Sequence, residues 1–69
     1  MIIRFKYKEE DVFRLDLSSG AKLSDALTMA MGTEKLSRDL DLTRLHAKRE
    51  NETVMQNTLL AHGDFITLS

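Results

Sequence analysis

Two stretches near the start of the chain alternate between apolar and polar residues, the period of two that indicates half-buried β-strands. From residue 2 to residue 8, apolar positions take one side of the predicted strand and basic positions the other: Ile3, Phe5 and Tyr7 against Arg4, Lys6 and Lys8. From residue 12 to residue 17 the alternation resumes, with Phe13, Leu15 and Leu17 inward. The acidic run at residues 9–11 is short enough to predict a hairpin between the two strands.

A change of period from two to that of a helix follows the turn residues Ser18, Ser19 and Gly20. Apolar residues then recur at helical spacing: Leu23, Ala26, Leu27, Ala30 and Met31. The predicted helix begins between residues 19 and 25, where Asp25 suits a first turn. It ends near Gly32, which suits the position just after a helix.

The second half of the chain is predicted to form short strands and turns. Residues 33–40 contain only Leu36 and Leu40 as apolar residues, which predicts a short helical turn or a tethered connection. Residues 43–49 alternate again and predict a third strand, with Leu45 and Ala47 inward. Residues 53–55 form a candidate short strand, and residues 65–68 predict a final strand after a turn at 62–64. The pattern leaves the pairing of residues 50–60 open.

This order of elements, two strands, a helix and two or three further strands, predicts that the last strand returns beside the first. The opening segment Met1–Phe5, the hairpin and the helix entered through residues 22–27 resemble the ubiquitin-like superfamily. The segment Thr58–Leu68 is similar to the ending of small β-grasp proteins, with its Gly63-Asp64 turn and its Ile66 and Leu68 pair. The resemblance covers essentially the whole chain. It implies an α+β, ubiquitin-like β-grasp fold, with a mixed sheet of four or five strands packed on one helix and residues 1–69 as a single domain.

The end of the sequence departs from part of that superfamily. Sulfur carriers of thiamine and molybdopterin synthesis, like ubiquitin, end in Gly-Gly, whose carboxylate is adenylated. This sequence ends Ile66-Thr67-Leu68-Ser69, so we expect neither adenylation nor conjugation. The remaining resemblance is to tail-less bacterial proteins, such as the ubiquitin-like accessory component of type VII secretion systems and ubiquitin-like subunits of some oxygenase complexes. It implies an accessory or regulatory role in a larger bacterial complex, exerted by binding without chemistry.

Composition narrows the class further. The 69 residues include no cysteine, which excludes disulfides and thiolate metal sites and fits a reducing compartment. Ten basic and eleven acidic residues nearly cancel, so the net charge makes no case for nucleic acid or an anionic membrane. The N-terminal stretch lacks the continuous apolar run of a signal peptide. We therefore expect a cytoplasmic protein.

Candidate chemistry is sparse. His46 and His62 are the residues that titrate near neutral pH, and they fall on different predicted elements with no third ligand at metal spacing. The glycines are isolated, so no phosphate-binding loop is predicted. No serine has a recognisable base at hand. We expect no enzyme activity, no catalytic residue, no metal and no cofactor.

The distribution of positive charge is the one feature that indicates a function. Basic residues gather on the outward side of the predicted strands, and Phe65 is turned outward beside the inward Ile66. The predicted protein-binding residues are Arg4, Lys6, Arg14, Arg44, His46, Lys48 and Phe65. We expect their partner to be another protein with an acidic surface, and the chain to be a monomer or a weak homo-oligomer. Two alternatives stay open: nucleic-acid or anionic-ligand binding by the same face, and charge that merely solvates the sheet.

Overall fold

The alternating stretches form one mixed sheet, and the stretch of helical period lies across it, in a computed structural model that describes residues 1–69. The elements are β1 (Ile2–Tyr7), β2 (Phe13–Asp16), α1 (Leu23–Gly32), β3 (Ala47–Arg49), β4 (Glu52–Val54) and β5 (Phe65–Leu68). The strand order is β2-β1-β5-β3-β4. The β1 and β5 strands are parallel, and all other neighbours are antiparallel. The predicted α+β class with one helix is confirmed.

A single apolar core lies between the sheet and α1. All fourteen buried residues are hydrophobic, and no polar or charged residue is buried. The largest fully buried side chains are Phe5, Ile3, Leu27, Ile66 and Leu68. Leu15 and Leu17 are buried as predicted, while Phe13 is half-buried and stacks on Phe5 with 5.5 Å between ring centroids. The inward positions of both alternating stretches therefore form the sheet side of the core.

The central strands β1 and β5 pair in the register Arg4 opposite Phe65 and Phe5 opposite Ile66. Backbone hydrogen bonds run from the Arg4 N–H to the Asp64 carbonyl at 3.0 Å and from the Lys8 N–H to the Leu68 carbonyl at 3.0 Å. The prediction that the last strand lies beside the first is confirmed. Because β1 and β5 have neighbours on both sides, their alternation decides which face every other strand presents.

The first four strands have boundaries that differ from those predicted, and the second ends at Asp16 rather than at Leu17. The β1–β2 connection spans residues 8–12 rather than 9–11, because Lys8 has a left-handed φ of 51° and the Glu10 N–H closes a turn on the Tyr7 carbonyl at 3.0 Å. The third strand begins at Ala47 rather than at Thr43. The short fourth strand covers residues 52–54 rather than 53–55.

The start of α1 is held by residues distant in sequence. Lys22 is the extended residue before the helix, and its N–H donates to the Asp25 carboxylate at 2.9 Å. The first helical N–H groups have no partner within a helix. Here the Leu23 N–H donates to the Thr58 carbonyl at 3.1 Å, and the Ser24 N–H to the Gln56 carbonyl at 3.0 Å. The segment after β4, whose pairing the sequence left open, thus caps the helix.

The end of α1 corrects the role predicted for Gly32. Gly32 is the last helical residue, and the left-handed residue that follows the helix is Glu34, with φ of 62°. The Lys35 N–H returns to the Ala30 carbonyl at 2.8 Å, the 6→1 bond of a Schellman motif. This reversal places Leu36 in the core, so residues 33–40 form the tethered connection of the two predicted alternatives.

We expect Glu34→Gly to stabilise the fold. A left-handed backbone costs a residue with a Cβ roughly 1–2 kcal/mol, and glycine avoids this cost. Glycine in turn destabilises the fold by about 0.4–1 kcal/mol, because it raises the entropy of the unfolded chain. The net gain in the free energy of unfolding is about 0.5–1 kcal/mol, measured by urea denaturation. The control is Lys35→Gly, at a position without positive φ, which should not stabilise. A Glu34→Gly variant no more stable than the wild type would contradict this reading of the helix end.

Candidate functional site

The side of the sheet away from α1 carries no secondary structure above it, and we call it the open face. Period-two alternation turns one residue in two toward it on each strand. The register places the following side chains there: Ile2, Arg4 and Lys6 from β1, Arg14 and Asp16 from β2, Phe65 and Thr67 from β5, Lys48 from β3 and Thr53 from β4. Of these, Lys6 is half-buried and the rest are exposed.

Arg4 is the centre of the open face. It lies opposite Arg14 on one side and opposite Phe65 on the other. Its guanidinium carbon is 5.4 Å from the centroid of the Phe65 ring, within the range of a cation–π contact. Phe65 remains 37% exposed, whereas Ile66 is fully buried. The outward orientation predicted for Phe65 is confirmed.

The basic side chains of the open face lack acidic partners. No carboxylate lies within 4.0 Å of the charged groups of these four residues: Arg4, Lys6, Arg14 and Lys48. The cations that do form ion pairs in this structure are the N-terminus, Arg44 and Arg49. Like charges directly opposite on a strand pair are destabilising, by a few tenths of a kcal/mol for an exposed pair such as Arg4 and Arg14. The open face therefore carries four basic side chains without an ion-pair partner, and Asp16 is the one acidic residue among them.

Arg44 does not belong to this arrangement. It lies in a turn before β3, where its Nε is 3.7 Å from the Asp41 carboxylate. The turn forms because the Asp41 carboxylate accepts hydrogen bonds from the Thr43 N–H at 3.0 Å and from the Thr43 hydroxyl at 2.6 Å. The prediction that Arg44 points outward from the sheet is therefore wrong, because the third strand begins only at Ala47.

His46 and His62 lie at opposite ends of β5. His46 exchanges two backbone hydrogen bonds with Ser69, at 2.8 and 2.9 Å, and its exposed side chain stands at the margin of the open face. His62 accepts a hydrogen bond at Nδ1 from the Ile2 N–H at 3.0 Å. No three His, Cys, Asp or Glu side chains come together in an arrangement that could hold a metal ion.

A hollow of about 670 Å³ borders the open face beside Phe65. Its lining residues are Arg4, Arg49, Glu50, Asn51, Glu52, Gly63, Asp64 and Phe65. Within it, Arg49 donates to the Asp64 carboxylate at 2.8 Å and to the Glu52 carboxylate at 2.9 Å. These bonds raise the pKa of Arg49, the bond to Asp64 contributing most. One guanidinium balances only one of these two carboxylates, and Glu50 lines the hollow as well, so the hollow carries acidic charge beside Arg4 although none of it forms an ion pair with Arg4.

Sequence reasoning did not identify Arg49 as part of this region. Its side chain lies on the β3–β4 hairpin and reaches the turn before β5, fifteen residues away in the chain. The Gly63-Asp64 turn was visible in the sequence, but nothing in the local pattern indicated which cation pairs with Asp64. Only the β3–β5 register, with Arg49 opposite Ile66, brings the two together.

Comparison with known proteins finds similar structures but no matching sequence family. No protein family matches the sequence, and no characterised protein matches it significantly. The structure is similar to that of SAMP1 from Haloferax volcanii, with a TM-score of 0.81 and 19% identity over 100% of this chain and 93% of that chain. A second structure of H. volcanii small archaeal modifier protein 1 gives a TM-score of 0.76 and 18% identity, covering 97% of this chain and 93% of that one.

A third similar structure is described as molecular mimicry of SUMO that promotes DNA repair, with a TM-score of 0.74 and 15% identity over 100% of this chain and 89% of that chain. The chain therefore has the ubiquitin-like β-grasp fold, as the sequence resemblance implied. Identities of 15–19% establish the fold alone. The one α-helix has ten residues, and no helix here is long and apolar enough to cross a membrane.

We expect the Asp41 carboxyl to titrate below its ordinary pKa of 3.8, because hydrogen bonds from the Thr43 hydroxyl and then the Thr43 N–H favour its charged form. A depressed folded pKa contributes stability above the unfolded value, and that contribution disappears as the pH falls through the folded pKa. Carboxyl-carbon NMR titration measures the midpoint. Thr43→Val should move it upward toward 3.8, whereas Thr53→Val on β4 should not. An Asp41 midpoint indifferent to Thr43→Val would contradict the proposed turn.

Proposed function

We propose that this chain is a non-catalytic protein-interaction module that binds an acidic surface of another protein through the open face. The observation that carries the proposal is the set of four basic side chains there without an acidic partner: Arg4, Lys6, Arg14 and Lys48. Uncompensated charge on one face steers a partner of opposite sign and adds specificity. The proposal includes an accessory or regulatory role in a cytoplasmic complex.

Arg4 has the chemistry to recognise a carboxylate. Stacking on Phe65 restricts the guanidinium, so less conformational entropy is lost when it binds. Its N–H donors form no hydrogen bond within the protein, and a planar fork of donors matches a carboxylate through two parallel bonds. A carboxylate on the partner surface can therefore bind Arg4 without breaking an existing ion pair.

Phe65 supplies an apolar anchor beside that charge. Phe65 is 37% exposed, and Ile2, on the same face, is 36% exposed. Aromatic and arginine side chains near the centre of an interface contribute most of the binding energy in typical complexes. An apolar centre surrounded by charged residues matches the usual anatomy of a protein interface. His46 and Arg44, at and beyond the margin of the face, contribute at most rim contacts.

The structural neighbours support a role in protein interaction without specifying it. One is named a small archaeal modifier protein, and another is described as mimicking SUMO. Those words concern proteins that share this fold at low identity. The residues on the open face of this chain carry the specific part of the proposal.

The test is affinity capture from a lysate of the native host, treated with nuclease, with the full chain as bait. We expect the double variant Arg4→Glu/Lys48→Glu to lose captured partner by at least about tenfold, the equivalent of 1.4 kcal/mol. It should remain folded, because Arg4→Glu removes the repulsion with Arg14 and loses only the contact with Phe65. These two effects are each below about 1 kcal/mol and opposite in sign.

The matched control is Lys35→Glu/Arg38→Glu, two exposed basic residues in the connection after α1. It makes the same change in net charge away from the sheet, and capture should be retained. Equal loss in both variants, or retention in the first, refutes the proposal. Direct titration with a DNA duplex tests the nucleic-acid alternative, which requires affinity that falls steeply with salt.

A further inference from the structure

The sheet has two edge strands, β2 and β4, and they differ in how many backbone N–H and carbonyl groups they leave unpaired. At the β4 edge, the chain closes on itself: the Met55 N–H donates to the Thr58 hydroxyl at 3.0 Å, and the Met55 carbonyl accepts from the Thr58 N–H at 3.0 Å. Only a short stretch of β4 backbone remains available there. At the β2 edge, no other segment of the chain covers the strand.

The β2 edge has a defined set of free backbone groups. Met1 and Leu17 exchange two backbone hydrogen bonds, the Met1 amino group to the Leu17 carbonyl at 2.6 Å and the Leu17 N–H to the Met1 carbonyl at 2.8 Å. In an antiparallel pair, every second residue makes such an exchange. Leu15 and Phe13 therefore bond to β1, while the N–H and carbonyl groups of Arg14 and Asp16 point away from the sheet.

We propose that this edge pairs with the β2 edge of a second copy of the chain. In the proposed dimer, two antiparallel β2 strands are related by a two-fold axis at Leu15. Arg14 of each copy then lies opposite Asp16 of the other. Both residues direct their free backbone groups across the interface, so each facing pair can exchange two hydrogen bonds. The side chains of Arg14 and Asp16 lie on the open face, so the proposed dimer contains two symmetry-related pairs of opposite charge.

Charge selects this register over its neighbours. A symmetric antiparallel pairing must bring edge-facing residues together, so the register can change only in steps of two. One step in one direction places Arg14 opposite Arg14 of the second copy, and one step in the other places Asp16 opposite Asp16. Directly opposed like charges are destabilising, whereas opposite charges stabilise a strand pair. The edge is thus complementary to itself in a single register.

The helix side of the same edge offers apolar surface. In the proposed register, Leu17 lies opposite Phe13 of the second copy. Met29 of α1 is 40% exposed and lines a shallow hollow together with Leu17. Phe13 is half-buried at the start of β2. Pairing of two copies brings Met29 and Phe13 toward apolar neighbours, in addition to the backbone hydrogen bonds.

Sedimentation equilibrium of the purified chain over a series of concentrations tests this inference. We expect the apparent mass to rise from that of one 7.9 kDa chain toward twice that value. Arg14→Asp and Asp16→Arg should each remain monomeric, because each puts like charges opposite one another. Mixed in equal amounts, the two variants should associate as a heterodimer, and the exchanged variant Arg14→Asp/Asp16→Arg should regain self-association.

The control Lys35→Asp changes the net charge as Arg14→Asp does, but away from the edge, and should associate like the wild type. A wild-type chain that stays monomeric at every concentration overturns the inference. So does a mixture of the two single variants that fails to associate while each remains folded by circular dichroism. No partner protein enters the experiment, so its outcome is independent of the proposed function, which stands or falls on capture through Arg4 and Lys48.

Discussion

The parallel pairing of β1 with β5 is the constraint on which the rest of the structure depends. In its register, Phe5 and Ile66 face the core, and Arg4 and Phe65 face away from it. Since side chains alternate with a period of two, a slip of one residue on either strand would exchange its core residues for its surface residues. A buried arginine without a partner is far more costly than a buried isoleucine. The β1–β5 register that stabilises the core therefore also creates the open face.

The turn before β5 holds that register. Gly63 has φ of 89°, a conformation that glycine adopts without a Cβ penalty, and its N–H donates to the Ile2 carbonyl at 2.9 Å. The Asp64 carboxylate accepts from the Ala61 N–H at 2.8 Å and from Arg49 at 2.8 Å. Its side chain is only 14% exposed, so this ion pair is less screened than the surface pair of Arg44 and Asp41. One turn thus connects β1, β5 and β3.

Sequence reasoning succeeded where one periodicity decided the outcome. Leu15, Leu27 and Ile66 are buried because alternation or helical spacing left them no other side, and Phe65 is exposed for the same reason.

Sequence reasoning failed where two local signals competed. Arg44 was predicted on the sheet, but the side-chain turn of Asp41 and Thr43 prevails over strand alternation before β3. Gly32 was predicted to reverse the chain, but burial of Leu36 moves the reversal to Glu34. The pairing of Arg49 with Asp64 depends on strand register, which local patterns do not contain.

Nuclear Overhauser effects at the start of β5 test the β1–β5 register most directly. We expect the Phe65 ring protons to contact the Arg4 side chain and to show no contact with α1, because the Arg4 guanidinium lies 5.4 Å from the ring centroid on the open face. The Ile66 methyl groups should contact Phe5 and other core residues. Contacts from the Phe65 ring to Leu27 of α1, with Ile66 accessible to solvent, would contradict the register and remove the open face with it.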